Sequence, residues 1–422
     1  MVDGEEPIHD VRVGICGDEI EEISANHNSP APEANEIINA EDSLILPGLI
    51  NTHCHSPMAL FRGMADDLPL KSWLFEHIFP AEAKYINPDT VYRASLLACL
   101  EMIASGTTTC VDGYFFANEI VMAFHKAGIR ALVGQGVIDF PAPGVPDPEK
   151  NLDVASSFLA KWIDFSDRII PGIFCHSPVT CSSKTLLRAK EISSQFNTPL
   201  QTHLSETHEE VEEIIQKTSL RPVFYLDDLD LLTTHLIAAH AIYLNEEEIE
   251  LLATRGVNVA HCPESNMKLG SGVAPVARML KKGVTIGLGT DGCASNNNLD
   301  LFTEMDTAAK LDKVTTLDPA IIDARTVLRM ATIGGARVIG LEDRIGTIEV
   351  GKKADIIIVD AKKPHMVPMY NPYSQLVYSA GGGDVKDVII NGAIVYRDRQ
   401  FTTLDSLEIM DEVKRCCRQI AM

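Results

Sequence analysis

Eight short apolar β-rich runs, separated by longer amphipathic stretches, fill the middle of this 422-residue chain and constrain its fold more than any other feature. The runs cover residues 44–51, 107–114, 130–139, 169–175, 199–203, 236–240, 257–261 and 284–289. Helical patterns lie between them at 88–105, 119–127, 152–162, 184–196 and 246–254. Strands joined through helices pair in parallel, and eight of them over this length close into a (β/α)8, or TIM, barrel of the α/β class. A doubly wound open sheet is the alternative. That fold usually carries a glycine-rich turn after its first strand, where this chain reads Asn51-Thr52-His53-Cys54-His55. The same absence argues against a dinucleotide-dependent oxidoreductase.

Both ends read differently. Residues 11–24, 346–361 and 385–397 look like short strands with turns, the last with an Asn391-Gly392 hairpin signal. The termini are therefore expected to pair into one small β-sandwich beside the barrel, with a helix over 406–421 closing the chain. The expected division is 1–46 for the first part of the sandwich, 47–345 for the barrel, and 346–422 for the rest with its helix.

A formal net charge of −23 makes nucleic acid and anionic lipid poor partners. The opening MVDGEEPIHD has no basic start or apolar core of a signal peptide, and no apolar run is long enough to span a bilayer. None of the ten cysteines forms a C-x-x-C pair, which disfavours zinc ribbons and thioredoxin-like chemistry. A cytoplasmic protein is expected.

The chemistry gathers at strand ends. His53 and His55 alternate on the first strand, so both imidazoles face one side and can reach one metal ion. His176, His203, His240 and His261 close the fourth to seventh strands, and Asp291 follows the eighth. Any one of them alone would more often be a hydrogen-bonded core residue. Together they stand at the end of the barrel where active sites assemble, and read as a metal site. Neutral imidazoles with a carboxylate suit zinc, or ferrous iron, and leave a position open for water. Glu206, three residues beyond His203, could overhang the metal as an acid–base group; its bland alternative is an N-terminal charge on a helix over 206–215. Neither the zincin helix motif nor the P-C-x-x-C signature of nucleobase deaminases is present. Strand four ends in His176 rather than the lysine that some two-metal barrels require, so one divalent ion is expected.

Four segments resemble the amidohydrolase superfamily: Pro47-Gly48-Leu49-Ile50-Asn51-Thr52-His53-Cys54-His55, His203-Leu204-Ser205-Glu206, Ala238-Ala239-His240 and Leu288-Gly289-Thr290-Asp291-Gly292. Within it the chain is most similar to the methylthioadenosine/S-adenosylhomocysteine and 5′-deoxyadenosine deaminases. That likeness rests on Phe61-Arg62-Gly63-Met64-Ala65-Asp66-Asp67-Leu68, Trp73-Leu74 with Pro80-Ala81-Glu82, His176-Ser177-Pro178, Ser265-Asn266-Met267-Lys268-Leu269-Gly270 and Ser295-Asn296-Asn297-Asn298. The resemblance implies that His53, His55, His203 and Asp291 hold the metal. It implies that Glu206 protonates a purine ring nitrogen while Asp291, with His240 beside it, takes the proton of the attacking water. Ammonia leaves and an inosine analogue remains. Glu82 would grip the ribose hydroxyls, His176 would touch the nucleoside, Trp73 would pack on the 5′ substituent, and Ser295 would line the pocket near Asp291.

Gln135 stands at the end of strand three, where some relatives carry an arginine that would pair with a substrate carboxylate. Methylthio, hydroxyl and hydrogen 5′ groups therefore fit this pattern better than the amino-acid tail of S-adenosylhomocysteine. The resemblance also suggests a homodimer or homotetramer, and an N-terminus shorter by about one strand than its relatives. The alternatives are a relative acting on guanine, a pterin or an s-triazine, and a barrel kept as a non-catalytic scaffold.

Overall fold

The computed structural model of the chain describes residues 6–25 and 34–420. Eight parallel strands lie side by side in chain order: Leu49–Cys54, Thr107–Tyr114, Arg130–Val137, Ile169–Cys175, Leu200–Leu204, Leu236–His240, Asn258–His261 and Thr285–Leu288. Near-continuous burial of these strands is what a parallel sheet covered by helices requires.

The first and eighth strands meet along a seam closed largely by side chains. Asn51 Nδ2 donates to Thr290 Oγ1 at 2.7 Å, Thr52 Oγ1 donates to the Leu288 carbonyl at 2.9 Å, and the Asp291 amide donates to the His53 carbonyl at 3.0 Å. Glycine makes this approach possible: a Cβ on Gly287 would sit 2.4 Å from Thr52 Cγ2, and one on Gly289 2.9 Å from His53 Cβ.

The helices begin and end where local chemistry says they should. Asn87 and Thr90 form a capping box ahead of Pro88–Ala104, and Asn245 with Glu248 does the same for Glu246–Arg255. Gly128 and Gly256, both left-handed, stop the helices Ala117–Ala127 and Glu246–Arg255. The helices Asn151–Trp162 and Ser183–Phe196 also stand where the pattern placed them. One helix starts later than its pattern suggests. The helix expected over 206–215 runs His208–Thr218, with Thr207 as its cap accepting from the Glu210 amide, so Glu206 lies ahead of the helix.

A five-stranded antiparallel sheet gathers both ends of the chain, in the order Gln400–Phe401, Ala393–Arg397, Val385–Ile390, Ile356–Asp360 and Ser43–Pro47. The hairpin Arg12–Cys16 and Glu19–Ser24 lies over it, with Ile20, Ile348, Ala354, Ile356 and Ile389 buried in a shared apolar cluster. Two corrections apply here. The run 44–51 is two strands: Ser43–Pro47 pairs with Ile356–Asp360, and Leu49–Cys54 enters the barrel. Between them Gly48 passes so close to Thr108 that a Cβ would lie 2.0 Å from its Oγ1. The run 346–361 supplies only the strand Ile356–Asp360, because left-handed Gly346 and Gly351 turn the chain first.

Arg130, 1 % exposed, joins barrel to end sheet through a two-pronged bond with Asp355 at 2.8 and 3.2 Å. The closing helix, Ser406–Ile420, is tied to Pro88–Ala104 through Glu412 and Arg93. The expected last residue, Ala421, and the opening residues 1–5 read for a signal lie outside the described residues. Among the described residues no helix is long and apolar enough to cross a membrane.

Candidate metal centre and active site

The seam sets the site. The first strand carries His53 and ends one residue before His55, the bridge from Cys54 fixes Asp291, and the fifth strand brings His203. Their ligating atoms all lie within 4.8 Å of one another. His203 Nε2 is 3.2 Å from His53 Nε2 and 3.3 Å from His55 Nε2; Asp291 Oδ1 is 3.2 Å from His55 Nε2 and 3.6 Å from His53 Nε2.

These spacings fit a tetrahedral ion. Metal–ligand bonds of about 2.0–2.1 Å give ligand-to-ligand edges of about 3.3–3.4 Å. Imidazole nitrogens facing one another this closely repel unless a cation lies between them. His55 Nδ1 donates to the Gly113 carbonyl at 2.6 Å, which fixes the tautomer that leaves Nε2 free to ligate.

Electrostatics agree. Burial pushes His53 down to about 4 and His203 well below the ordinary histidine range, so both are neutral. Burial would raise Asp291, but His53 and His55 beside it hold its carboxyl well below the usual range. Burial lowers His55 as well, but Asp291 beside it outweighs burial and raises that imidazole. Neutral His53 and His203 and an ionised carboxylate are protonation states that a metal binds.

Asp291 divides its labour. Oδ1 faces the histidines, whereas Oδ2 accepts from Ser265 Oγ at 2.7 Å and Ser295 Oγ at 2.8 Å. Its backbone is left-handed, φ 60°, as is that of His240, φ 70°. Such conformations cost about 1–3 kcal/mol each and hold the two side chains over the barrel mouth.

His240 Nε2 and Glu206 Oε2 stand 3.6 Å apart, both groups buried. Asn266 Oδ1 lies 2.8 Å from His240 Nδ1, and Ser271 Oγ donates to Glu206 Oε1 at 3.0 Å. Burial raises Glu206 above the ordinary glutamate range. Burial opposes protonation of His240, but the charges of Glu206 and Asp291 outweigh it and raise that histidine.

Glu82 sits on the helix Phe79–Tyr85, only 2 % exposed, and accepts from the Tyr114 hydroxyl. Burial raises its carboxyl to about 7. His176 stands beside the metal cluster, its ring 5.0 Å from that of His203 and its Nδ1 2.9 Å from Thr180 Oγ1. Ser295 touches Asp291, as described above. Trp73 is buried, and among the described residues its indole nitrogen has no partner.

Gln135 is engaged locally. Its Oε1 accepts from the Ala117 amide at 3.3 Å and its Nε2 donates to the Gly136 carbonyl at 3.2 Å. His261, expected to converge with the others, stays outside the cluster, buried and, among the described residues, with no hydrogen-bond partner at either ring nitrogen. The sequence pattern singles out none of Ser265, Asn266, Ser271 and Tyr114 for an individual role. Ser265 and Asn266 lie on the short helix Pro263–Lys268 after the seventh strand and Ser271 just beyond it, at the barrel end where such groups gather, and that position is the signal that could have found them.

A model of the amidohydrolase family matches residues 44–395. The chain is 50 % identical over 388 residues to a 5-methylthioadenosine/S-adenosylhomocysteine deaminase of Syntrophobacter fumaroxidans, covering 92 % of this chain and 88 % of the relative. It is 44 % identical over 388 residues to a 5′-deoxyadenosine deaminase of Methanosarcina mazei, covering 92 % and 89 %. A zinc-bound crystal structure of an adenosine deaminase from Xanthomonas campestris superimposes with a TM-score of 0.95 at 38 % identity, covering 98 % of this chain and 94 % of that one. Matched along most of its length, and at half identity to one relative, the chain belongs to the amidohydrolase family.

Proposed function

We propose that this chain is a zinc-dependent aminohydrolase of adenine nucleosides, converting adenosine, 5′-deoxyadenosine and 5′-methylthioadenosine to their inosine analogues and ammonia. The observation that carries it is the buried Glu206–His240 pair poised beside the His53, His55, His203 and Asp291 cluster. The deaminase names of the similar proteins support the same chemistry.

His53, His55, His203 and Asp291 hold the ion, and iron is the alternative metal. Such an ion, when bound, supplies the Lewis acidity that makes a nucleophile of water at neutral pH. Glu206, whose carboxyl burial raises above the ordinary glutamate range, donates to a ring nitrogen of the purine and makes C6 electrophilic. Asp291 and His240 accept the proton of the attacking water and return one to the departing amino group. The C6–N bond breaks as the ring carbonyl forms. Glu82 accepts from the ribose hydroxyls, a role suited to an acceptor. His176, Trp73, Gln135 and Ser295 complete the pocket wall.

We take the enzyme to be cytoplasmic, a reading supported by its ten unpaired cysteines. A homodimer or homotetramer is supported by the exposed apolar residues Val367, Met369 and Tyr370. The test of function is the fall in ultraviolet absorbance as an adenine ring becomes hypoxanthine. Zinc-loaded protein would meet each nucleoside, free adenine and guanine, with Glu206→Gln as control. Turnover of nucleosides that the variant abolishes supports the reading. Silence on every nucleoside, or turnover of free guanine alone, overturns it.

A further inference from the structure

The turn that carries Glu206 is strained and is held from two sides. Ser205, just before it, is a left-handed residue other than glycine, φ 51°, a conformation that persists only where its surroundings fix it. From one side the Ser205 carbonyl accepts from the Ile242 and Tyr243 amides at 3.2 and 3.0 Å, just beyond His240. From the other, Glu210 Oε1 accepts from the Ser205 amide at 3.3 Å and Oε2 from the Glu206 amide at 2.7 Å.

Helix capping does not account for this reach. Glu210 is the third residue of the helix that Thr207 caps, and a glutamate there ordinarily bonds the amide of the cap itself. Glu248 does so, accepting from the Asn245 amide at 2.9 Å. Glu210 passes over Thr207 and spends both oxygens on the two residues before it. Glu206 lies ahead of the helix, outside its hydrogen-bond ladder, so the clamp does what a helix would otherwise do for its backbone.

We propose that Glu210 is a positioning residue for the reaction: it clamps the Ser205–Glu206 turn and so sets where the Glu206 carboxyl stands. The inference rests on the deaminase reading, in which Glu206 is the acid. That carboxyl sits between Ser271 Oγ, 3.0 Å from Oε1, and His240 Nε2, 3.6 Å from Oε2. Rotation of the turn would carry it away from both. Glu210 stands outside the metal cluster, so its loss is felt through Glu206 and not through the ion. A shift of about 1 Å in a reacting group can cost about 10²-fold in rate.

The experiment is a mutant cycle on the zinc-loaded chain with adenosine as substrate. Glu210→Ala should lower kcat about 10–100-fold, with KM changed less than about twofold and zinc content unchanged. Glu210→Gln, which keeps one acceptor oxygen, should lose less. In a Glu206→Gln background, Glu210→Ala should cost less than about twofold more, because no acid remains to be positioned. Amide exchange reads the clamp without substrate: the Ser205 and Glu206 N–H groups should exchange about tenfold faster or more in Glu210→Ala. If that variant does not fold, Glu210→Gln takes its place in both measurements. Losses that multiply in the double variant overturn the inference, and so does zinc lost from Glu210→Ala. An intact kcat, or unchanged exchange at the two amides, overturns it as well. Silence of the wild type on every nucleoside overturns the deaminase reading instead, and exchange, which needs no turnover, tells the two failures apart.

Discussion

Asn266 Oδ1 lies 2.8 Å from Nδ1 of His240, on the side of the ring away from Glu206. The amide oxygen accepts, so Nδ1 carries a proton and Nε2 is turned toward Glu206. Removing that acceptor frees both the tautomer and the ring. Asn266→Ala should lower kcat by about 10–100-fold with little change in KM or bound zinc, as loss of an orienting partner does. Steady-state kinetics with metal analysis checks it. A variant that loses zinc instead would place Asn266 in the support of the metal cluster.

Glu206 has its own supporting bond from Ser271. Glu206→Gln keeps shape and burial but supplies no acidic proton, and should reduce kcat by about 10²–10⁴-fold. Ser271→Ala, which only loosens the carboxyl, should lose much less. Equal losses in the two variants would mean that Ser271, and not Glu206, handles the proton.

The nitrogen-to-nitrogen contacts of 3.2 and 3.3 Å among His53, His55 and His203 tie metal to stability. A ligand bound only by the folded state stabilises it in proportion to the logarithm of its concentration over Kd. Chelation should therefore lower Tm, and added zinc should restore it. His55→Ala, which removes one corner, should respond far less to either treatment. A wild-type Tm indifferent to chelator and zinc alike would sink the metal assignment.

Much of this site was legible because a barrel brings strand ends together. His53, His55, His203, His240, Glu206 and Asp291 could be placed at the barrel mouth from the alternation of strands and helices, since each lies at or just beyond a strand end, while the choice of ligands among them came from the family resemblance. His261 shares that position and yet stays apart, because which side of a strand end faces the axis depends on local twist and not on order along the chain. Asn266 and Ser265 escaped assignment because they act through other side chains, and their partners are fixed only by folding. The run 44–51 was misread for a similar reason. Its apolar residues are continuous, and only the clash between a Cβ at position 48 and Thr108 shows that two sheets meet there.

Asp355 joins the two layers of the molecule. Arg130 is buried against it, and Asp355 Oδ1 also accepts from the Asn391 amide at 2.7 Å in the hairpin of the end sheet. Asp355→Ala would strand a buried guanidinium, which costs about 3–5 kcal/mol. Denaturant unfolding should show that loss, with the zinc content of the folded protein unchanged. A loss below about 1 kcal/mol would mean that water reaches Arg130 and that the pair contributes little.

Glu82 predicts a dependence of stability on pH. Burial lifts its carboxyl from 4.5 to about 7, against which the Tyr114 hydrogen bond works only in part. The folded state therefore keeps a proton that the unfolded chain gives up between these two values. Where the folded state binds more protons, stability falls as pH rises, so the wild type loses stability from about pH 4.5 to 7 and levels off above. The full shift corresponds to about 3 kcal/mol. Glu82→Gln keeps an acceptor for Tyr114 and has nothing to titrate. Other buried carboxyls, such as Asp112 and Glu210, shift in the same direction, so only the difference between the two proteins isolates Glu82. Without nucleoside, the variant should gain on the wild type as pH is raised from 5 to 8, in unfolding free energy as in Tm. The same variant should raise KM for adenosine more than it lowers kcat, because the ribose loses its charged acceptor. A stability difference that stays constant across this range would mean that Glu82 is ionised throughout, stabilised by a donor beyond Tyr114.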